Sequence, residues 1–507
     1  MKKFILLLNT VKYLKCKQIY FRLFYFFRAK YRKITGFKYA FVKGSNVTFL
    51  DLHESIENKY SNFINNEFNV LNLSKKFDNK IDWNYSIYGK LWTYNLTYFE
   101  YLKKKEDVFF LYDFIKNIEI VKDGLEPFPI SLRGINWIKF LTKYGIQDKK
   151  IDDSLYAQYY ILLDNLEYHL LGNHLLENSF SLLFGAYYFR DEYLYKKAVK
   201  ILKEELKEQI LDDGGHFELS PMYHQIILFR VLDCINLVKN NSWKSKELLE
   251  LLNSKAELML GWLENITYEN GDIPLLNDSA NKITPTSHEL FDYADKLKLE
   301  TNNIMLKESA YRKIVKEKYE CLVDIGHIGS SYIPGHAHAD TLNFELRING
   351  KAFIVDSGLS TYETNSIRSN QRSTKAHNTI EIMGKDSSEV WGAFRVANRA
   401  EIISLEEKEN FIKATHDGYK KYDIIHTRTW KFKNDKIVIE DNLSKKCKAM
   451  FRLHFHPDVT KEIIRQRVQN IEYKIKKYTY AEEFNKTQQA LVLEIDFNKN
   501  IQVEIML

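Results

Sequence analysis

The pattern of the chain changes from helical to β-type around the hairpin Leu342-Asn343-Phe344-Glu345-Leu346-Arg347-Ile348-Asn349-Gly350-Lys351-Ala352-Phe353-Ile354-Val355. Apolar and polar side chains alternate from Leu342 to Ile348, which is typical of a half-buried strand. Asn349-Gly350 is a dipeptide that two-residue hairpin loops favour, and an apolar run returns behind it. A second hairpin pattern surrounds Asn434-Asp435. We therefore predict an antiparallel β-sandwich over residues 313–507.

Upstream of this hairpin, the apolar spacing is helical rather than alternating. Helices are predicted over five stretches that short loops connect: 154–171, 175–187, 195–211, 221–239 and 244–268. The fourth has the clearest start, because Ser220 suits the N-cap position and Pro221 suits the first helical turn. Successive antiparallel helices can close into an (α/α) toroid, which we predict for residues 46–312.

Residues 1–45 form a third, basic and aromatic segment with a predicted helix over residues 10–33. The chain has 507 residues and a formal net charge of +7, and twelve lysines and arginines but no acidic residue precede Asp51. Such a block predicts an anionic partner, and residues 1–35 suit peripheral binding to a membrane surface. Docking on the protein's own body is an equally good interpretation. No nucleic-acid-binding module accompanies the block, so we expect no nucleic acid partner.

The compartment is predicted from the same segment and from the cysteines. The apolar start Phe4-Ile5-Leu6-Leu7-Leu8 is short, charged residues follow it closely, and it lacks a small-residue cleavage site, so it does not resemble a signal peptide. Four cysteines without a paired spacing suit isolated thiols in a reducing compartment. We expect a cytoplasmic protein, peripheral at the inner membrane, with the periplasm as the alternative.

A candidate metal site precedes the hairpin, in Pro334-Gly335-His336-Ala337-His338-Ala339-Asp340. In an extended chain, His336 and His338 point to the same face. Asp356 follows the return strand of the hairpin, and His377 lies one loop further on. Two imidazoles and a carboxylate are a plausible ligand set for zinc. Two histidines on a solvated strand would give the same pattern, so this motif alone does not decide between the two interpretations.

Two further segments combine a helix start with polar side chains: Gly172-Asn173-His174-Leu175-Leu176-Glu177-Asn178 and Gly214-Gly215-His216-Phe217-Glu218-Leu219-Ser220-Pro221-Met222-Tyr223-His224. Asn173 suits an N-cap, but an amide beside the backbone N–H groups of a helix start also favours a carboxylate. Tyr223 falls in the first turn after Ser220-Pro221, where the positive helix end should lower its pKa. A tyrosine that fills the gap between helices is the alternative.

These residue types fit one reaction, elimination at a 4-linked uronic acid. The proton on C5 must leave, the oxygen on C4 must be protonated, and the neighbouring carboxylate must be neutralised so that negative charge can spread into it. Amide and imidazole donors suit the carboxylate, and tyrosine or histidine suits the proton transfers. Asn173, His174, Tyr223 and His336 supply these types.

The order of the motifs resembles that of the heparinase II/III-like polysaccharide lyases, which include oligoalginate lyases. The motifs are N-H-x-x-E-N, E-x-S-P-x-Y-H, G-H-x-H-x-D, D-x-G and R-S-T-x-x-H-N, and the last of them is Arg372-Ser373-Thr374-Lys375-Ala376-His377-Asn378. The resemblance extends over roughly residues 90–460. It implies a toroid followed by a β-sandwich, an active site in the cleft between them, and an acidic polysaccharide as substrate.

The resemblance also implies roles for individual residues. Asn173 and His336 neutralise the carboxylate, Tyr223 is the catalytic acid and base, and His174 assists proton abstraction. One zinc ion, chiefly structural, is held by His338, Asp356 and His377. The substrate-binding residues are expected to be Glu218, His224, Tyr362 and Arg372. Some members use a second tyrosine shortly after the ligand aspartate, and Tyr362 is the tyrosine of this chain that lies near that position. The N-terminal segment is similar to that of members that accompany surface-polysaccharide assembly.

Three other functions are compatible with parts of this pattern. A uronyl C5-epimerase shares proton abstraction and carboxylate neutralisation but returns the proton to the opposite face. A non-catalytic glycan-binding scaffold in polysaccharide assembly has no need for the complete Asn, His and Tyr set. A zinc hydrolase requires an open coordination position with an activated water and a nearby base.

Overall fold

The N-terminal segment forms two helices that dock on the body of the protein. The computed structural model describes residues 2–40, 47–78, 80–244 and 246–507. The segment bends at residues 12–15, between α1 (Lys2–Val11) and α2 (Cys16–Thr35), where a single helix was predicted. The Phe21 ring stacks on Tyr168 with a centroid separation of 4.7 Å, and the Gln18 side chain donates a hydrogen bond of 2.9 Å to the Leu170 carbonyl. The docked interpretation is therefore confirmed for one face of α2.

The opposite face of these helices is exposed and apolar. Its exposed large side chains include Phe4, Leu8, Tyr20, Leu23, Phe27, Tyr31 and Ile34. Within the described parts of the chain, no helix is both long and apolar enough to cross a membrane.

A small antiparallel sheet that was not predicted precedes the main helices. It consists of β1 (Asn62–Ile64), β2 (Glu67–Val70) and β3 (Leu73–Lys76). Asn65-Asn66 and Leu71-Asn72 connect the strands with positive φ angles at both residues, as type I′ turns require. The strands are three or four residues long, so their alternation is too short to distinguish them from a loop.

The following helices build the predicted toroid. They are α3 (Lys90–Tyr98), α4 (Val108–Asn117), α5 (Pro127–Tyr144), α6 (Lys149–Asp164), α7 (Gly172–Phe189), α8 (Glu192–Gln209), α9 (Pro221–Asn240), α10 (Glu247–Ile266) and α11 (Ser287–Lys296). Helix α7 is buried along almost its whole length and packs against α5, α8 and α9. A helix that is apolar on all sides is typical of the interior of a helical array.

The helix boundaries agree with prediction best where a cap is present. Ser220 is the N-cap of α9, and its hydroxyl accepts a hydrogen bond of 3.2 Å from the Tyr223 backbone N–H. The helix predicted over residues 154–171 instead ends at Asp164. Gly172, taken as its stop signal, has a positive φ angle and begins α7.

The C-terminal part is an antiparallel β-structure, as predicted. Its strands are β4 (Tyr311–Lys316), β5 (Tyr319–Asp324), β6 (Phe344–Ile348), β7 (Lys351–Ile354), β8 (Ile380–Ile382), β9 (Val390–Trp391), β10 (Arg395–Val396), β11 (Ile402–Lys408), β12 (Phe411–His416), β13 (His426–Phe432), β14 (Lys436–Leu443), β15 (Ala449–His454), β16 (Val468–Gln469), β17 (Lys474–Glu483), β18 (Lys486–Phe497) and β19 (Asn500–Met506). Two short helices are inserted, α12 (Ser366–Gln371) and α13 (Lys461–Arg467). The predicted hairpin is formed by β6 and β7 around Asn349-Gly350, both with positive φ.

Two layers of strands enclose one apolar core. One layer contains β4-β5-β6-β7 and β17-β18-β15-β8, joined by a bridge between Ile354 and Phe455, and the other contains β11-β12-β13-β14-β19-β16. Phe344 and Phe451 of the first layer share a buried cluster with Trp430 and Val503 of the second. This arrangement is a β-sandwich, whose loops face the toroid at the candidate site.

Candidate functional site

A single buried carboxylate, Asp278, organises the polar groups between toroid and sandwich. It accepts hydrogen bonds from His336 Nδ1 at 2.9 Å, from His338 Nε2 at 2.8 Å and from both terminal nitrogens of Arg368, one of them at 2.7 Å. Burial by itself opposes ionisation, but the Arg368 guanidinium and the two imidazoles hold the pKa of Asp278 well below its usual range. Asp278 is therefore an anion that accepts from both rings.

The loop that carries Asp278 ties the toroid to the histidine segment. The Ser220 hydroxyl, at the start of α9, donates to the Asp278 carbonyl at 2.7 Å. The Asp278 backbone N–H donates to the His336 carbonyl at 2.9 Å, and the His338 N–H donates to Asn277 Oδ1 at 3.0 Å. The helix start and the two histidines are thus held in fixed register.

His336 presents one ring nitrogen to the cleft. Because ionised Asp278 can only accept, Nδ1 of His336 carries a proton, and in the neutral imidazole the lone pair lies on Nε2. Nε2 is 3.5 Å from Asn173 Nδ2 and 3.6 Å from Glu218 Oε2. The imidazole also stacks on the Tyr223 ring with a centroid separation of 3.9 Å. Three predicted catalytic residues, Asn173, Tyr223 and His336, therefore come together.

Asn173 is not the N-cap of its helix. The residue before α7 is Leu171, and its side chain makes no cap hydrogen bond. Asn173 instead donates its backbone N–H and its amide to the Glu218 carboxyl, at 3.2 Å and 3.4 Å. Burial raises the pKa of Glu218, which favours the protonated form of this carboxyl group.

Tyr223 and Tyr362 meet across the cleft. Their hydroxyl oxygens lie 3.2 Å apart, so the tyrosine expected shortly after Asp356 is in reach of the site. The expectation that the helix end lowers the pKa of Tyr223 is wrong, because burial raises it and the negative charges of Asp278 and Glu218 act in the same direction. Tyr223 is therefore a neutral phenol in the free protein.

His174 lies on the rim of this cluster. Its Nδ1 is 3.0 Å from Glu167 Oε1, and its ring packs on Phe128 with a centroid separation of 4.9 Å. Burial opposes the charged form, but the Glu167 carboxylate raises the pKa of His174 above the usual value. His174 is thus a partly exposed imidazole that one carboxylate orients.

Two residues expected to bind substrate lie outside the cleft. His224 is fully buried, its Nε2 is 3.0 Å from the Met259 carbonyl, and burial lowers its pKa to about 3. Arg372 is also fully buried, and its guanidinium donates to main-chain carbonyls, including that of Ala337 at 2.8 Å. Both side chains stabilise the packing around them, because their polar partners are main-chain carbonyls inside the protein.

The predicted zinc ligands His338, Asp356 and His377 lie together, but only the two histidines have a nitrogen without a hydrogen-bond partner. The His338 and His377 rings are 5.2 Å apart, and His338 Nδ1 and His377 Nε2 are buried without a hydrogen-bond partner. Asp356 is engaged by His377 Nδ1 at 2.7 Å and Asn343 Nδ2 at 2.6 Å. As arranged, the described residues contain no group of three or more His, Cys, Asp or Glu side chains that could hold a metal ion. The two unpartnered imidazole nitrogens are potential metal ligands, whereas the Asp356 carboxylate is placed to orient His377.

A largely apolar pocket opens from the cluster into the toroid. Asn173, Tyr223 and Tyr362 line one end of it, and the walls include Tyr98, Phe128, Leu132, Ile226, Phe229 and Phe484. Its cations are paired: Arg230 Nε lies 3.1 Å from Glu177 Oε1, and Lys59 Nζ lies 2.6 Å from Glu289 Oε1. The pocket wall therefore combines aromatic surface with two paired cations and two further carboxyl groups, those of Glu57 and Glu100.

Three residues of the site were not predicted. Asp278 and Glu167 lie in irregular loops whose local sequence carries no motif, and Arg368 lies on the short helix α12. The only available signal for them was the need of buried histidines for carboxylate partners, and that need does not specify a position in the chain.

Known proteins of similar sequence and fold identify the family. The heparinase II/III N-terminus model matches residues 150–302, and the heparinase II/III-like C-terminal model matches residues 300–494. A heparin-sulfate lyase of Bacteroides stercoris is 23% identical over 318 residues, which are 57% of this chain and 46% of that protein. The chain spans less than half the length of the curated relatives that it matches.

Solved structures reproduce the fold. A heparinase III crystal structure superposes with a TM-score of 0.62 and 16% identity, covering 85% of this chain and 80% of that chain. A second heparinase III structure gives a TM-score of 0.57 and 18% identity, covering 85% and 81% of the two chains. The fold is thus that of a toroid followed by a β-sandwich. The chain belongs to the heparinase II/III-like family.

Proposed function

We propose that this protein cleaves a uronic-acid-containing acidic polysaccharide by β-elimination in the cleft between toroid and sandwich. The observation that carries the proposal is the convergence of Asn173, Tyr223 and His336 from separate segments of the chain on one cluster. A glycan-binding scaffold has no need for a buried Asp278–His336 pair that orients a free ring nitrogen towards the cleft. The names of the relatives, heparin-sulfate lyases, agree with this chemistry.

The substrate carboxylate is assigned to the position between Asn173 and Glu218. The Asn173 amide can donate to it, and a protonated Glu218 can donate as well. Two neutral donors in a buried site stabilise the negative charge that develops on the carboxylate in the transition state. Neutralisation of this kind makes the C5 proton easier to remove.

The two proton transfers are divided between His336 and Tyr223. His336 Nε2 carries the lone pair, so it takes the C5 proton while the C5 electron pair forms the C4–C5 double bond. The C4–O bond breaks as this double bond forms, and the neutral Tyr223 phenol protonates the departing oxygen. In this scheme His336 is the base and does not donate to the carboxylate, and His174 stays an assisting residue at the rim.

The charges and the apolar wall of the pocket restrict the kind of sugar that can bind there. Arg230 is paired with buried Glu177 and Lys59 with Glu289, and Glu57 and Glu100 add negative charge to the wall, so the described pocket residues disfavour a sulfated sugar. The apolar wall suits an uncharged sugar with acetamido or methyl substituents. We infer that the uronate carboxylate is the main charge recognised here.

A panel of polymers tests the activity. Purified protein is incubated with alginate, heparosan, chondroitin and hyaluronan, each with a sulfated counterpart where one exists, and ultraviolet absorbance of unsaturated uronate is followed. Product absorbance with unsulfated polymers is the expected result. A change of uronate configuration without absorbance would instead identify a C5-epimerase, and neither change on any uronate polymer would contradict a catalytic role.

We propose in addition that one zinc ion is bound with the free nitrogens of His338 and His377 as two of its ligands. Asp278 and Asp356 orient these rings by accepting their N–H groups, which is the usual arrangement around metal-bound imidazole. A bound zinc would stabilise the histidine segment in a structural role, and no proton transfer is assigned to it.

We also propose that the protein remains in the cytoplasm and associates reversibly with the inner membrane through residues 1–35. The exposed apolar face of α1 and α2 and the basic residues around it support this proposal. Such a location suits a role in surface-polysaccharide metabolism. Recovery of the chain in the periplasm would contradict it.

A further inference from the structure

A β-hairpin of the sandwich places an exposed aromatic ring beside the candidate catalytic groups. The turn between β9 and β10 carries Phe394, whose ring centroid is 5.9 Å from that of His336 and 5.2 Å from that of Tyr362. Phe394 is nevertheless 43% exposed, unlike the buried aromatic residues of the core. An exposed ring at the edge of a polar site is a surface on which the apolar face of a sugar can pack.

Two buried arginines hold this turn from the inside. Arg368 Nε and Arg372 Nη1 each donate to the Ala393 carbonyl, at 3.1 Å. Arg368 also binds Asp278, the carboxylate that orients His336. The backbone at Phe394 is therefore connected to the catalytic histidine through a continuous set of hydrogen bonds.

The N-terminal helices hold the same hairpin from the outside. Trp391 Nε1 donates to Thr10 Oγ1 of α1 at 3.0 Å. Just beyond the hairpin, the Arg399 guanidinium lies 3.7 Å from the centroid of the Tyr13 ring, a close cation–π contact. β9 and β10 pair with each other in a two-stranded sheet, so these outer contacts replace a neighbouring strand.

We propose that Phe394 is a substrate-contacting residue on the sandwich side of the cleft, and that Thr10 and Tyr13 are positioning residues for it. The inference rests on the proposed elimination activity. The N-terminal helices thus present an exposed apolar face and also hold part of the substrate site in position. The ring packs on a sugar adjacent to the uronate, so its contribution is to binding rather than to proton transfer.

Steady-state kinetics of Phe394 variants test the contact. Phe394→Ala should raise KM roughly two- to tenfold, the range expected for loss of one aromatic packing contact, with kcat little changed. Phe394→Tyr should restore the wild-type KM, and Phe109→Ala, which removes a similarly exposed ring on α4, should have no effect. An unchanged KM for Phe394→Ala, or a loss confined to kcat, would overturn the assignment.

The positioning role has a readout that does not need activity. In the double variant Thr10→Val/Tyr13→Leu, backbone amides of residues 390–396 should exchange hydrogen faster, and KM should rise in the same direction as for Phe394→Ala. Thr35→Val, at the far end of α2, is the matched control, since its hydroxyl donates to carbonyls of its own helix among the described residues. Unchanged hydrogen exchange at these amides would show that Thr10 and Tyr13 do not hold the hairpin in place. Absence of turnover in the wild-type protein would contradict the proposed function instead.

Discussion

The hydroxyl oxygens of Tyr223 and Tyr362 lie 3.2 Å apart, although the two residues belong to different domains. Tyr223 is on the first turn of α9 in the toroid, and Tyr362 is in the loop after β7 in the sandwich. Burial keeps both phenols neutral by raising their pKa values. In the proposed mechanism, the pair is therefore placed to pass a proton to a substrate oxygen that lies between the domains.

Tyr223→Phe should fold normally and lose most of the elimination activity. Removal of a general acid typically costs about 10²–10⁴-fold in rate. The measurement is kcat, from the absorbance of unsaturated uronate, together with a melting curve. Tyr159→Phe, a buried tyrosine away from the cleft, is the control and should keep full turnover. Near wild-type turnover in Tyr223→Phe would remove Tyr223 from the mechanism.

Asn173→Ala should reduce turnover far more than stability. Asn173 does not cap α7, and its amide makes only long contacts, 3.4 Å to Glu218 and 3.5 Å to His336, so the melting temperature should change little. Loss of an oxyanion donor of this kind lowers kcat by about 10²–10³-fold. Asn136→Ala removes another partly buried amide on α5 and controls for nonspecific effects. A clear loss of melting temperature with normal kcat would contradict the assignment.

Glu218→Gln should flatten the pH dependence of kcat/KM on its alkaline side. Burial raises the pKa of Glu218 in the folded state, so the protonated donor persists to higher pH than in an exposed glutamate and is lost as pH rises through that raised value. The stabilising effect of this protonation on the fold decreases over the same rise in pH. Gln keeps a neutral donor throughout, so the alkaline decline should disappear while activity at neutral pH remains. The same decline in both proteins would assign it to another group.

The sequence predicted those parts of the site that are adjacent to regular local signals. Ser220-Pro221 marks the start of α9 and therefore places Tyr223, and Asn349-Gly350 fixes the hairpin behind the histidine segment. His336 and His338 do bind one carboxylate, each through a different oxygen, although they lie in a loop rather than in a strand.

The remaining features depend on long-range contacts that no local pattern records. Asp278 meets His336 across 58 residues of sequence, and Arg368 meets Asp278 across 90. The same limit explains the errors for His224 and Arg372, which stand within the correct motifs but point into the interior. A motif predicts the neighbourhood of a side chain, whereas packing decides which way that side chain faces.

Purified protein should contain one zinc per chain, and His338→Ala should lose it. The two free imidazole nitrogens of His338 and His377 motivate the prediction. Elemental analysis is the measurement, and chelation should lower the melting temperature, because a ligand that binds only the folded state stabilises it. His288→Ala removes an exposed histidine and should keep the metal. Absence of zinc from the wild-type protein, or unchanged zinc in His338→Ala, would refute the site.

The intact chain should bind vesicles that contain anionic lipid, and high salt should release it. Exposed apolar side chains on α1 and α2 can enter the headgroup region, and each lysine or arginine near an anionic surface adds about 1 kcal/mol that salt screens. The variant Phe27→Ser/Ile34→Ser removes two side chains that are 63% and 85% exposed, so it should weaken binding without unfolding the protein. The control is Met305→Ser/Val315→Ser, which removes side chains that are 82% and 62% exposed elsewhere on the surface. Sedimentation with vesicles at low and high ionic strength measures the difference. Equal binding by both variants, or binding that ignores salt, would show that this face of the N-terminal helices is not the membrane contact.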